Sequence, residues 1–182
     1  MTSSTSVPAT LRPFYDGWAE YQGALLEALR PLSDEQLQLK PAPHQWAVWQ
    51  IAGHMAACRP WWFGFLGEGS QELRDMFRVD EVTVPHLPIE HAWWEDNENR
   101  PRTAKELIDA HEKTRAMIDD CLRRWTPEDL EGQFSKTSWR TGETETFTRG
   151  WVIYHLMEHD LHHGGEISNI LGSHRLPALD DF

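Results

Sequence analysis

Four of the ten histidines, His155, His159, His162 and His163, fall in one helix-length stretch between Trp151 and Leu171. Residues four apart on a helix lie about 6 Å apart on one face, a spacing that lets two imidazoles share one metal ion. His159 and His163 have that spacing. At about 100° per residue, Val152, Ile153, Leu156, Ile167, Ile170 and Leu171 form one apolar stripe. His159 and His163 fall inside it, near its centre line, while His155 sits at its edge and His162 points away. A lone histidine on an apolar face is usually a core residue with one hydrogen bond. Two of them need two buried partners, so the pair reads as metal ligands. His155, His159 and His163 together span about 12 Å along the axis, so a third ligand has to come from another element.

That element is a second helix, expected from Gln45 to about Leu66, with Pro60 placed to kink it. His54 shares a face there with Ala47, Ile51, Cys58, Trp61 and Phe65, and is the candidate third ligand. Cys58, one turn on, is a rival, although a free cysteine in an apolar helix usually only packs. A first helix is expected over Pro13 to Leu32, where apolar residues recur every three or four positions. Ser33 and Gln36 then have the spacing of a capped turn. The stretch from 68 to 102 has no sustained period beyond a short helix at Gln71 to Phe77. A loop this long inside a compact domain usually carries function, and Trp93 and Trp94 are candidate substrate-binding walls. His86 and His91 read as surface residues.

A third helix starts at Thr103, with Glu106 completing a capping box, and runs to about Trp125; His111 is expected to face solvent or an edge. Phe134 to Thr148 is the one stretch with strand character, a candidate hairpin around Thr141-Gly142. The final helix runs from about Arg149 to Leu171. Gly164 and Gly165 inside it cost roughly 1 kcal/mol each against Ala, which points to a close approach by another backbone or by a bound ion and its ligands. Glu166, three residues after His163, is the candidate to hydrogen-bond a ligand or take a proton, with a solvated carboxylate as the plainer reading. These elements describe an all-α four-helix bundle with a long crossover between helices two and three and an inward histidine site. The expected layout is a disordered leader at 1–10, one domain over 11–175 and an irregular tail at 176–182.

The 182 residues suit one domain. A net charge of −12 argues against nucleic acid and anionic membranes as partners. Ten tryptophans point to rings lining a pocket or a subunit contact. Two cysteines, Cys58 and Cys121, fit a reducing cytoplasm rather than a disulfide scaffold. The apolar segment Trp46 to Gly67 is interrupted by Gln50, His54, Arg59 and Pro60, so it reads as a buried helix and not a membrane span. A second apolar stripe of Tyr154, Met157 and Leu161 points to a homodimer or to packing on the first helix.

The motifs Trp49-Gln-Ile-Ala-Gly-His54 and His159-Asp-Leu-His-His163-Gly-Gly-Glu-Ile167 resemble those of the DinB superfamily of DinB/YfiT-like metalloenzymes, over about Leu11 to Leu171. The resemblance implies a four-helix fold, often dimeric, and a divalent-metal triad, usually zinc or nickel with water at the open positions. Carried over, that triad is His54, His159 and His163. Many members read His-Arg-Gly-Gln where this chain has His163-Gly-Gly-Glu166, so an anion-binding role at that place does not carry over. The superfamily's activities centre on low-molecular-weight thiols such as mycothiol and bacillithiol, which implies a thiol S-transferase acting on an electrophilic small molecule. Two alternatives stay open: a metal-dependent hydrolase, and a non-catalytic stress or metal-binding module with a closed coordination shell.

Overall fold

Local capping decides where the helices begin. In the computed structural model, which describes residues 10–138 and 141–181, Ser33 Oγ accepts from the Gln36 N–H at 3.3 Å while the Gln36 side chain accepts from the Ser33 N–H at 2.9 Å. Thr103 and Glu106 repeat the arrangement, at 3.3 and 3.0 Å. Each box satisfies donors that a helix start leaves bare. Among the described residues six α-helices result: α1 (Asp16–Leu29), α2 (Asp34–Leu37), α3 (Val48–Phe65), α4 (Gln71–Asp75), α5 (Ala104–Arg124) and α6 (Arg149–Ser173). The four long ones, α1, α3, α5 and α6, form an all-α bundle. A 3-10 turn, Arg12–Tyr15, occupies the expected start of the first helix. α3 runs unbroken through Pro60. The expected hairpin is present as β1 (Gln133–Thr137) and β2 (Thr144–Thr148), antiparallel with Phe134 opposite Phe147. Of the tail, Leu179 is buried in a 3-10 turn, Leu179–Asp181, so this segment is more ordered than its sequence implied. The leader expected at 1–10 lies outside the described residues except for Thr10. No described helix is long and apolar enough to cross a membrane.

The core has two apolar clusters with a polar layer between them. One gathers Leu25, Leu29, Trp49, Met55, Leu107, Ile167 and their neighbours. The other gathers Trp18, Trp62, Phe63, Ile118, Trp125 and Leu156. Between them, on α1, α3, α5 and α6, lie Gln22, Arg59, His111, Thr114 and Asp160, all buried. Asp160 Oδ2 accepts from Arg59 Nη2 at 2.9 Å, Trp18 Nε1 at 2.8 Å and Gln22 Nε2 at 3.1 Å. Arg59 Nη1 donates to Thr114 Oγ1 at 3.3 Å. One carboxylate and one guanidinium therefore tie the four long helices together.

Two sequence expectations change here. His111 does not face solvent: it is buried, with Nε2 donating to the Ala52 carbonyl at 2.9 Å. An exposed-looking position in an amphipathic helix is turned inward because a backbone acceptor on α3 awaits it. On α6 the apolar stripe is buried as expected and Asp160 and Gly164 are buried with it, whereas His159 and His163 are only half-buried. Gly164 is required sterically. A Cβ there would lie 1.9 Å from the Tyr21 hydroxyl, so the close approach is by α1 and not by an ion. At Gly165 a Cβ would meet nothing within 4 Å. Of the second stripe, Tyr154 and Leu161 are exposed while Met157 packs against the core.

Removing one partner of a buried ion pair leaves the other uncompensated, which costs about 3–5 kcal/mol. Asp160→Ala should lower the denaturation free energy by that amount, and the double change Arg59→Met/Asp160→Leu should cost markedly less, read by urea titration. A second expectation concerns acid. Burial, with the Arg59 charge nearby, holds His111 well below its ordinary 6.5. The unfolded chain thus binds this proton first, so His111 supports stability above pH 6.5 and withdraws that support as pH falls below it. His111→Gln should flatten the loss of stability below pH 6.5 by up to about 1.4 kcal/mol per pH unit.

Candidate metal centre

α3 and α6 face each other at the level of the polar layer, and this brings His54 to His159 and His163. One ring nitrogen from each lies within 4.8 Å of one from each of the others. His54 Nε2 and His159 Nε2 are 3.0 Å apart. Each outer histidine is held through its other nitrogen by a carboxylate. His54 Nδ1 is 2.6 Å from Glu95 Oε1, and His163 Nδ1 is 2.6 Å from Glu166 Oε2. A carboxylate at Nδ1 holds a proton on that nitrogen, so Nε2 is the position through which the ring would meet a metal. Two of the three rings are thereby set to present Nε2 to a shared point.

The charges fit this arrangement. Burial works against a charged His54, but the Cys58 sulfur and the Glu95 carboxylate outweigh it and raise its pKa to about 11. His159 is pushed the other way, to about 2, by burial first and then by the neighbouring histidines. Burial also lowers His163, with Glu166 opposing. The site therefore favours positive charge on the ring that Glu95 grips and disfavours it on the other two. His159 Nδ1 and Glu95 Oε2 are buried with no hydrogen-bond partner among the described residues. An orphaned ring nitrogen and three imidazoles drawn together form a group that could hold a metal ion.

The remaining candidates are distributed around this centre. Glu166 meets His163 and also lies 3.6 Å from His162 Nε2, although His162 itself is exposed. A second possible ligand group, His162, His163 and Glu166, shares His163 with the first. Cys58 Sγ comes within 3.6 Å of His54 Nε2 but does not belong to the group that includes His159 and His163. His155 stacks on Trp151 instead.

Trp93 and Trp94 are not among the residues lining the cleft beside the histidines. Trp94 is buried against Phe77, with Nε1 donating to the Met76 carbonyl at 2.9 Å. Trp93 pairs its backbone with Arg78. The cleft, of about 450 Å³, runs from His163 and Glu166 past Asn169 and Ile170 to Trp46 and Pro41. The Trp46 ring lies 4.9 Å from that of His54.

Glu95 and Trp46 escaped the sequence reading. Glu95 sits in an aperiodic loop, and its only signal was the length of that loop. Gln50 is what places it: its side chain accepts from the Ala47 N–H at 2.9 Å and donates to the Glu95 carbonyl at 2.8 Å. Trp46 fell inside the helix expected from Gln45, but α3 begins only at Val48, so the ring stands ahead of its first turn.

The sequence model of the DinB superfamily matches residues 18–167. A comparison with curated proteins finds no match. Among solved structures, a DinB-like protein from Bacillus cereus ATCC 10987 is similar, at 19% identity and a TM-score of 0.65, covering 94% of this chain and 97% of that one. A conserved protein from Enterococcus faecalis is similar at 16% identity and a TM-score of 0.64, covering 90% and 99%. At these identities the structural likeness establishes the fold alone. The sequence match spans most of the chain and includes all three clustered histidines, and the chain belongs to the DinB superfamily.

Proposed function

We propose that the protein is a divalent-metal-dependent enzyme that transfers a low-molecular-weight thiol, of the mycothiol or bacillithiol class, to an electrophilic small molecule. The observation that carries this is the convergence of three ring nitrogens within 4.8 Å, two of them on histidines whose far nitrogens are held by carboxylates. His54, His159 and His163 would hold the ion. Three neutral ligands leave positions open to a small molecule, as in catalytic rather than structural sites. When bound, a zinc or nickel ion supplies positive charge that lowers the pKa of a thiol at an open position.

The chain's own residues do the rest. Glu95 holds a proton on His54 Nδ1, so Nε2 is the position that would meet the ion, and its negative charge offsets the cation. Glu166 orients His163 and lies on the wall of the cleft, where its carboxylate can take the proton that the thiol sheds. The cleft admits the thiol and the electrophile together beside the histidines. Placement in the cytoplasm, where such thiols are kept reduced, accords with the two free cysteines.

Zinc-loaded and dialysed protein should retain about one ion per chain, His159→Ala should retain none, and Glu95→Ala should bind about 10–100-fold more weakly. Elemental analysis and competition with a chromophoric chelator read these values. In the same preparation, consumption of a chloro-dinitro aromatic should require both the metal and a bacterial thiol. Turnover of esters or amides with no thiol present would assign the site to hydrolysis instead.

A further inference from the structure

The cleft beside the histidines carries information about its ligand beyond the metal. It is lined by Trp46, Ile51 and Ile170 on its apolar side and by Gln45, Glu166 and Asn169 among its polar residues. Ile51 and Ile170 are buried, so they form a fixed floor, whereas the Trp46 ring is 37% exposed at the rim. An aromatic plane of this kind is an apolar contact that costs little side-chain entropy on binding.

The titratable groups of the lining are Glu166, His44 and His163, and Glu166 already meets His163 Nδ1 at 2.6 Å through one oxygen and lies 3.6 Å from His162 Nε2 with the other. No lysine or arginine lines the cleft, and Glu166 is its one carboxylate. Lys40, next in sequence to the lining residue Pro41, is drawn to Glu98 at 3.6 Å. A ligand that placed its own carboxylate or phosphate along this wall would face Glu166 with no lysine or arginine in the lining to offset it. A ligand with an ammonium or hydroxyl group there would gain a charge-assisted hydrogen bond.

We infer that the cleft selects small molecules with a flat or apolar body against Trp46 and an ammonium or hydroxyl group at Glu166, and rejects those bearing an anionic group at that place. This rests on the proposed function for the cleft's relation to catalysis. The selectivity itself belongs to the cleft and can be measured without metal.

The test is ligand-observed NMR on the metal-free full chain with two matched probes, 2-naphthylmethylamine and 2-naphthoate. The amine should bind at least tenfold more tightly than the carboxylate. Glu166→Gln, at an exposed position, should reduce that ratio to within about threefold of unity. Trp46→Ala should weaken the amine several-fold while leaving the circular dichroism spectrum unchanged. Equal binding of the two probes, tighter binding of naphthoate, or a ratio unchanged in Glu166→Gln each overturns the inference. A parallel measurement keeps the two readings apart. Addition of a thiol to cobalt-loaded protein should produce a sulfur-to-metal charge-transfer band, and its absence counts against thiol transfer without touching the selectivity of the cleft.

Discussion

The carboxylate of Asp160 is the constraint on which the rest of the bundle depends. A charge this deep is tolerated only with partners, and it has Arg59 from α3 and Trp18 and Gln22 from α1. Because helix side chains advance about 100° per residue, fixing Asp160 and Arg59 fixes the rotation of α6 and α3 about their axes. His159 is the residue before Asp160 on α6 and His54 lies five residues before Arg59 on α3. Setting the ion pair therefore also sets which way both histidines point. Apolar packing alone would permit small rotations of either helix, since Leu, Ile and Met exchange contacts at little cost. A pair of charges with directional hydrogen bonds does not.

The histidine cluster stands on that frame and has its own carboxylates beside it. Three imidazoles at the edge of a core face two opposed requirements: burial to keep them neutral and a carboxylate to balance a cation. The chain meets both by drawing the two outer carboxylates from different places. Glu166 comes from the same helix as its histidine, one turn on. Glu95 comes from the long connection between α4 and α5, whose Trp94–Asp96 turn is pinned to the start of α3 by Gln50. That connection explains its own length, since it has to leave the bundle, cover Gly53 with Trp94 and present Glu95 to His54.

How much of this the sequence carries differs between elements, for physical reasons. The long helices, both capping boxes and the hairpin are local, since spacing, caps and a Thr-Gly turn encode them within a few residues. The histidine triad was legible because two members share one helix face and the third shares an apolar face with known neighbours. The polar layer was not legible. Arg59 read as an interruption of an apolar segment and Asp160 only as a neighbour of His159, and their meeting across 101 positions is what makes both of them core residues. His111 was misplaced for the same reason, because its acceptor is a backbone carbonyl that no side-chain pattern reports. Gly164 was recognised as a close approach, but its partner, the Tyr21 hydroxyl on α1, was out of reach of a local reading.

The central claim is that His54, His159 and His163 hold one divalent ion through nitrogens whose opposite faces are set by Glu95 and Glu166. Anomalous diffraction from crystals of the zinc-loaded protein tests it most directly. The account predicts a single strong peak about 2.0–2.1 Å from one ring nitrogen of each of the three histidines, with Nε2 as the donor in His54 and His163 and both carboxylates still on Nδ1. A peak instead among His162, His163 and Glu166, or bonds to the metal through Nδ1 of His54 or His163, would contradict it.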